Sequence, residues 1–483
     1  MKYPALPPEV RELSFWGMMK IFGPGAIIAS VTIGSGETVF PSRNGAIFGY
    51  SLLWCFALGT IIKGFQIYSG ARFITLTGRH PLESWRELPG GTGVLFVGFM
   101  WILSIICMPL FLGGVLPRML ADFVVTGMIG FTPAAGDLQE AQLFDLYACL
   151  WGTLFIVIAV TLTFLQNYGF LEKIQTVIIS LLLVCIFVAV ISSSPDIVAM
   201  FTGLVIPTIP KFESWVAVMP EFQDRDPWVE VIVCIGVLGG GTQDYIGYLG
   251  ILREKGWGLM SRVGSSTGWN IDTSPENVAI GKKWLRAPLI DISIAFFAVL
   301  FFALCFAVLG AVMLHPKQIA PAGNNLLTQQ AAFLVREGQS PTIQTALDIL
   351  YKTGIFFAFF GTIHGAYELY TRTTHECLIV IWPGLRKVPL AKFRLWTVSV
   401  IGVLGLTLLW CSLDPVAVLT PAAVISSTFA CGLWCFAILW SDRVHLPREL
   451  RMGRPLVIGV VLSGIALTIF GVTGITRWIQ SFY

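Results

Sequence analysis

Two short stretches place oxygen chemistry where unbroken apolar sequence would be expected. The first is Gly34-Ser35-Gly36-Glu37, preceded by Gly23-Pro24-Gly25; the second is Gly239-Gly240-Gly241-Thr242-Gln243-Asp244. Each joins glycines to a carboxylate, and each lies inside a run of apolar, helix-length sequence. In a bilayer a helix can break only where its freed backbone groups face protein or a wet cavity. A carboxylate at that depth marks a functional site. The two stretches offer the carboxylates of Glu37 and Asp244, the amide of Gln243, the hydroxyls of Ser35, Thr38 and Thr242, and the freed carbonyls of Thr32 and Ile33. Such oxygens are hard ligands, suited to Mg2+, Ca2+ or Mn2+. No Met, Cys or His lies inside either break, and Cys234 stands about two turns before the second glycine run. The predicted metal ligands are Glu37, Gln243 and Asp244. Gly34, Ser35, Gly36, Gly240, Gly241 and Thr242 complete the predicted substrate-binding set.

The surrounding chain must supply a membrane. Of 483 residues, 55% are hydrophobic and 12% charged, with a mean hydropathy of +0.77. Soluble domains carry roughly 25% charged residues, so this is a polytopic membrane protein whose first partner is the lipid bilayer. A net charge of +3 without a basic tract gives no reason to expect a nucleic-acid partner. The ten cysteines are scattered singly through apolar runs and read as small buried hydrophobes. The polar, Pro-rich start is not expected to be a cleavable signal peptide.

A spanning helix needs about 20 apolar residues, and about eleven segments qualify on that criterion. They fall near 17–42, 46–71, 92–119, 144–166, 172–193, 228–252, 287–314, 343–371, 394–412, 415–440 and 455–476. Basic residues cluster in the connections that share a side with the N-terminus, notably Arg253 to Arg286, Arg372 to Arg394 and Arg443 to Arg454. The positive-inside rule therefore predicts a multi-pass protein of the cell membrane, N-terminus in the cytoplasm and C-terminus outside. The longest polar connections are expected at 120–143, 251–286 and 315–342. Asp122, Asp137, Glu140, Glu213, Glu221, Asp224 and Asp226 could give an acidic outer vestibule, or could be ordinary solvated loop.

The broken segments are the first and the sixth. They lie five spans apart and enter from opposite sides, as an inverted repeat of five helices would require. Paired broken helices in matching halves are the sequence signature of a transporter site; close helix packing at glycines is the competing explanation. The fold expected is all-α, a single transmembrane domain over 1–483, with a first repeat at about 17–193, a second at about 228–440 and an extra helix at about 455–476. Lys63 lies within the second span. His364 and Glu368 share a helix face and are candidates for proton coupling, while Asp348 and Lys352 read as an interfacial pair.

The segment from Phe22 to Ala29, then Phe48-Gly49-Tyr50-Ser51-Leu52-Leu53-Trp54, Ala71-Arg72 and Thr77-Gly78-Arg79, resembles the start of the Nramp divalent-metal transporters. Tyr168 to Glu172 and Gly354 to Leu378 extend the likeness over nearly the whole chain. The resemblance implies the LeuT-type fold with eleven spans and alternating access around the first and sixth. The substrate motifs depart from it. The family's Asp-Pro-Gly-Asn aligns on Gly34-Ser35-Gly36-Glu37, and its Met-Pro-His on Gln243-Asp244-Tyr245. The acidic residues of its third span have no counterpart in Ile105 to Leu110. The expected function is secondary transport of a divalent cation, with Mg2+ or Mn2+ favoured by an all-oxygen site. A small organic cation or amino acid, and a non-transporting sensor, are the alternatives. With no HExxH, GxSxG, Walker A or CxxC motif, neither catalysis nor a cofactor is expected.

Overall fold

The computed structural model describes residues 1–480 apart from 13, 35, 135, 166–179, 182, 221, 224, 263–269, 322–325, 335–339 and 412–414. Every regular element among them is helical. In chain order the elements that matter are α1 (Phe15–Ile21), α2 (Pro24–Ile33), α3 (Gly36–Phe48), α4 (Leu53–Thr77), α5 (Gly93–Ile129), α6 (Leu138–Leu165), α7 (Leu183–Ser192) and α8 (Ile197–Val205). They continue with α9 (Pro227–Val237), α10 (Thr242–Lys255), α11 (Pro275–Trp284), α12 (Arg286–Leu309), α13 (Pro341–Ile381), α14 (Leu390–Trp410), α15 (Thr420–His445) and α16 (Arg454–Gln480).

Among the described residues eight helices are long and apolar enough to cross a membrane, or ten if two bent pairs each count as one span. The pairs are α1 with α2, bent by 71°, and α7 with α8, bent by 119°. The second expected span, α4, is not among these: it has the length, but Lys63, Gln66 and Arg72 are buried along it and dilute its hydropathy. Much of the expected fifth span, with Tyr168 to Glu172, lies outside the described residues.

Local sequence explains the breaks. Ser14 caps α1 by accepting from Gly17 N–H at 3.0 Å. Phe15 and Trp16 stand exposed, as aromatic anchors at a membrane interface do. Pro24 then opens α2, where a missing N–H costs nothing. Gly25 brings α2 close to α12: a Cβ there would sit 2.7 Å from the Asp291 carbonyl. The halves of the two broken spans cross as pairs, α3 against α9 and α2 against α10; α12 packs along α2 and α3, and α13 along α2 and α10.

Three expectations change. The connection predicted at 120–143 is largely helix, because α5 runs on to Ile129 through two wider π-type turns at Leu110–Val115 and Val124–Ile129. Asp122, the polar residue that suggested a loop, is buried and paired with Arg118 one turn back at 2.9 Å. Of the outer acids, Asp226 pairs with Arg477, and Glu221 and Asp224 lie outside the described residues. The eighth span extends ten residues beyond its predicted end at 371, to Ile381, because Arg372 is neutralised by Glu368 and Glu254 rather than solvated. Asp348 and Lys352 do form the expected half-buried pair, at 2.7 Å.

Candidate functional site

The break between α9 and α10 is a four-residue non-helical link, Leu238 to Gly241. Gly239 and Gly240 adopt φ of 73° and 92°, a left-handed backbone that side chains disfavour by roughly 1–2 kcal/mol per residue. The link frees backbone groups in a water-poor interior, where each unsatisfied one costs several kcal/mol. Three side chains satisfy them. Lys63, fully buried on α4, donates from Nζ to the carbonyls of Gly236 and of Gly240, the latter at 2.7 Å. Glu37 Oε1 accepts from Gly239 N–H at 2.8 Å. Asp244 Oδ2 accepts from Gly241 N–H at 2.7 Å. The ammonium also interacts electrostatically with both carboxylates, so two negative charges and one positive charge are locked around one stretch of unwound chain.

The break between α2 and α3 is narrower. Ser35 lies outside the described residues, leaving Gly34 and Gly36 to define the break. A Cβ at Gly34 would fall 2.0 Å from the Ala358 carbonyl oxygen, and one at Gly36 would fall 1.5 Å from Val237 Cγ1. These glycines therefore admit α13 and α9 to close contact. Thr38 Oγ1 returns to the freed Ile33 carbonyl at 2.5 Å. Glu37 is packed among Phe40, Pro41, Phe56, Cys234, Val237 and Leu238.

A small cavity of ≈ 40 Å³ opens on the other face of the sixth-span break. Its polar lining comes from Gly240, Gly241, Gln243 and Asp244, with Thr32 of α2, Cys107 of α5 and Ser427 of α15. About 10–15 Å³ of such space is enough for one water, so the cavity admits an ion with a few of its waters. Asp244 Oδ1 is buried and accepts no hydrogen bond from the described residues, although the Tyr370 hydroxyl stands beside this carboxylate. Gln243 is held from two sides: Ser426 Oγ donates to its Oε1 at 2.6 Å, and Thr373 Oγ1 to its backbone carbonyl at 2.7 Å. Thr242 Oγ1 donates to the Ser426 carbonyl at 2.7 Å and braces α10 against α15.

The structure thus brings Gln243, Asp244, Gly240 and Gly241 to one cavity. Glu37 does not line it, and stands behind the unwound backbone. Sequence reasoning placed Lys63 in a span without assigning it to the break, and it missed Cys107 and Ser427. The lysine was legible as a charge without an aqueous outlet; the thiol and hydroxyl gave no signal. His364 and Glu368 do share a face, but Glu368 is gripped by Arg394 at 2.8 Å and by Arg372.

Ion clusters lie at both ends of the broken spans. Beside α3 and α9, Glu230 receives Arg225 at 2.8 Å and Arg43 at 3.4 Å, and Arg43 also covers the Phe222 ring at 4.9 Å. Toward the far end of α10, Arg253 joins Glu376 at 3.1 Å and Glu83 at 3.2 Å. In both clusters arginine bridges residues far apart in the chain.

Spanning helices broken in facing pairs around a small central cavity, with ion clusters beyond each end, define a membrane transporter of LeuT type rather than an enzyme. Residues 25–477 match the family described as Natural resistance-associated macrophage protein-like. The chain belongs to that Nramp family. The metal transporter nramp1 homolog of Dictyostelium discoideum is 26% identical over 204 residues, 41% of this chain and 34% of that protein, so the match spans about a third of the relative. The manganese transporter of Eremococcus coleocola, in complex with an aromatic bis-isothiourea substituted compound, superposes with a TM-score of 0.66 at 16% identity, covering 99% of this chain and 90% of that one. MhsT in complex with L-phenylalanine superposes with a TM-score of 0.57 at 13% identity, covering 94% and 98%.

Proposed function

We propose that this protein moves a divalent cation across the cell membrane by alternating access, holding it at Asp244 and Gln243, with Mg2+ or Mn2+ as the favoured cargo. The observation that carries the reading is the buried Asp244 carboxylate lining a small cavity beside the broken sixth span, its Oδ1 with no neighbour among the described residues but the Tyr370 hydroxyl. An unneutralised acceptor in that setting costs free energy unless a cation or water completes it. The described fold of the two relatives' class, one a metal transporter and one a manganese transporter, agrees with this cargo. Glu37 contributes charge through the break rather than a direct bond. Gly240, Gly241 and Thr242 shape the unwound segment beside the ion, while Gly34 and Gly36 let the first break close against α13 and α9.

In this reading the two inverted repeats are about 17–193 and 228–440. With the N-terminus cytoplasmic, the Arg43–Glu230–Arg225 cluster is the outer gate and the Arg253–Glu376–Glu83 cluster the inner one. The test is calorimetric titration of the purified protein with Mn2+ and Mg2+, followed by uptake into proteoliposomes under a gradient. Saturable binding weakened about 100-fold in Asp244→Asn, roughly 3 kcal/mol for loss of one charge near a divalent ion, is the expected result. No heat with any divalent ion sinks the proposal, and binding without flux turns it into a sensor.

One observation favours a second reading. Lys63 sets an ammonium beside the two carboxyl groups, reducing the negative charge offered to cargo, which suits a small organic monocation. Competition by small amines for the Mn2+ heat separates the two.

A further inference from the structure

The cavity carries one group that an all-oxygen site does not need. Cys107, 6% exposed on α5, lines the same space as Asp244 and Gln243 and interacts electrostatically with Asp244. Its neighbourhood is built rather than incidental. Pro109 and the π-type turn at Leu110–Val115 follow it directly. A second π-type turn, Ile425–Phe429, presents Ser427 to the same cavity and orients Gln243 through Ser426. Such turns locally widen a helix and recur at functional sites.

Cys107 has Ser426 as a hydrogen-bond partner, and other buried thiols are partnered too, away from the cavity. Cys149 faces the Leu409 carbonyl at 3.7 Å, Cys234 receives the Asn44 amide at 3.2 Å, and Cys431 faces Thr242 at 3.4 Å. Among these thiols Cys107 is the one that lines the cavity, which it shares with the 95%-buried Asp244 carboxylate; there Oδ2 accepts from Gly241 N–H, and Oδ1 has, among the described residues, only the Tyr370 hydroxyl beside it.

We infer that Cys107 is a specificity-determining ligand, supplying a sulfur to the ion held by Asp244 and Gln243 and turning the site toward transition metals and away from Mg2+. The inference rests on the divalent-cation reading above and chooses within it. Sulfur ligands favour softer, thiophilic ions, whereas Mg2+ demands oxygen and sheds water reluctantly. As the sulfur–metal bond forms, the thiol proton leaves to water and the cation gains one anionic ligand. Together with the Asp244 carboxylate this neutralises a divalent ion. The softness absent from the sixth-span break is in this way supplied from the third span, on the far wall of the same cavity.

The test uses the full-length protein in detergent or nanodiscs, titrated with Cd2+, Mn2+ and Mg2+ as wild type, Cys107→Ser and Asp244→Asn. The preference for Cd2+ over Mg2+ is expected to fall about tenfold or more in Cys107→Ser, while thermal unfolding of the variant reports that it is folded. In the wild type, Cd2+ but not Mg2+ should slow maleimide alkylation of Cys107, read at its peptide by mass spectrometry. An unchanged Cd2+/Mg2+ ratio in Cys107→Ser, or alkylation of Cys107 that Cd2+ does not slow, overturns the inference while leaving divalent binding at Asp244 standing. Divalent binding absent from the wild type, or untouched by Asp244→Asn, overturns the parent reading.

Discussion

The two broken spans differ in what their glycines accomplish. In the first span, Gly34 and Gly36 make room: α13 and α9 occupy the volume their Cβ atoms would take. In the sixth, Gly239 and Gly240 make a backbone path, turning left-handed so that consecutive peptide groups meet Lys63, Glu37 and Asp244. The first break is a packing device with little open space; the second is an electrostatic device beside a cavity. A pair that looks symmetric in sequence is divided in labour, and the carboxylate of the first span works for the sixth.

Lys63 is where this division is most exposed to attack. Lys63→Met leaves two buried carbonyls and two carboxylates without their cation, and loss of one partner from a buried ion pair typically costs about 3–5 kcal/mol. Thermal unfolding in detergent should show the largest loss of any single variant here, and Lys63→Met combined with Glu37→Gln should cost less than the sum of the two. An additive double variant would break the idea that these charges form one unit.

Packing at the first break comes next. Gly36→Ala drives a Cβ into Val237 Cγ1 and should cost about 1–3 kcal/mol, with Val237→Ala restoring much of the loss. Gly240→Ala, in contrast, should be only partly rescued by trimming Asp244, which its Cβ would approach to 3.0 Å, because roughly 1–2 kcal/mol of its cost lies in the backbone.

The carboxylates sharpen the comparison further. Asp244→Asn should weaken divalent binding about 100-fold with a small stability change, and Glu37→Gln should do the reverse, lowering stability by about 1–3 kcal/mol with a lesser effect on binding. Equal binding defects in calorimetry would merge the two sites that the structure separates. Smallest of all, Asp348→Asn removes a half-exposed helix pair and should move stability by less than about 0.5 kcal/mol.

Much of the architecture was legible because bilayer chemistry writes itself into sequence. Long apolar runs marked the spans, and glycines beside carboxylates marked the two that break. The extent of α5 was not legible. Asp122 reads as a loop residue until Arg118 is seen beside it, and an i, i+4 pair has the same sequence whether it is solvated or buried. The surroundings of Glu368 were hidden for a related reason: its helix neighbour His364 is visible in sequence, whereas Arg394, 26 residues away, is visible only in space.

By itself, the sequence determined the membrane class, the positions of both breaks, the resemblance to Nramp transporters and the loss of that family's usual ligands, since all of these rest on local composition and spacing. Only the tertiary structure decided which groups meet. Lys63 reaches Gly240 across 177 residues, Glu37 reaches Gly239 across 202, and Cys107 joins Asp244 from a separate helix. Desolvated charges must find partners wherever the packing of helices puts them, and that packing is a property of the assembled bundle rather than of any one stretch of chain.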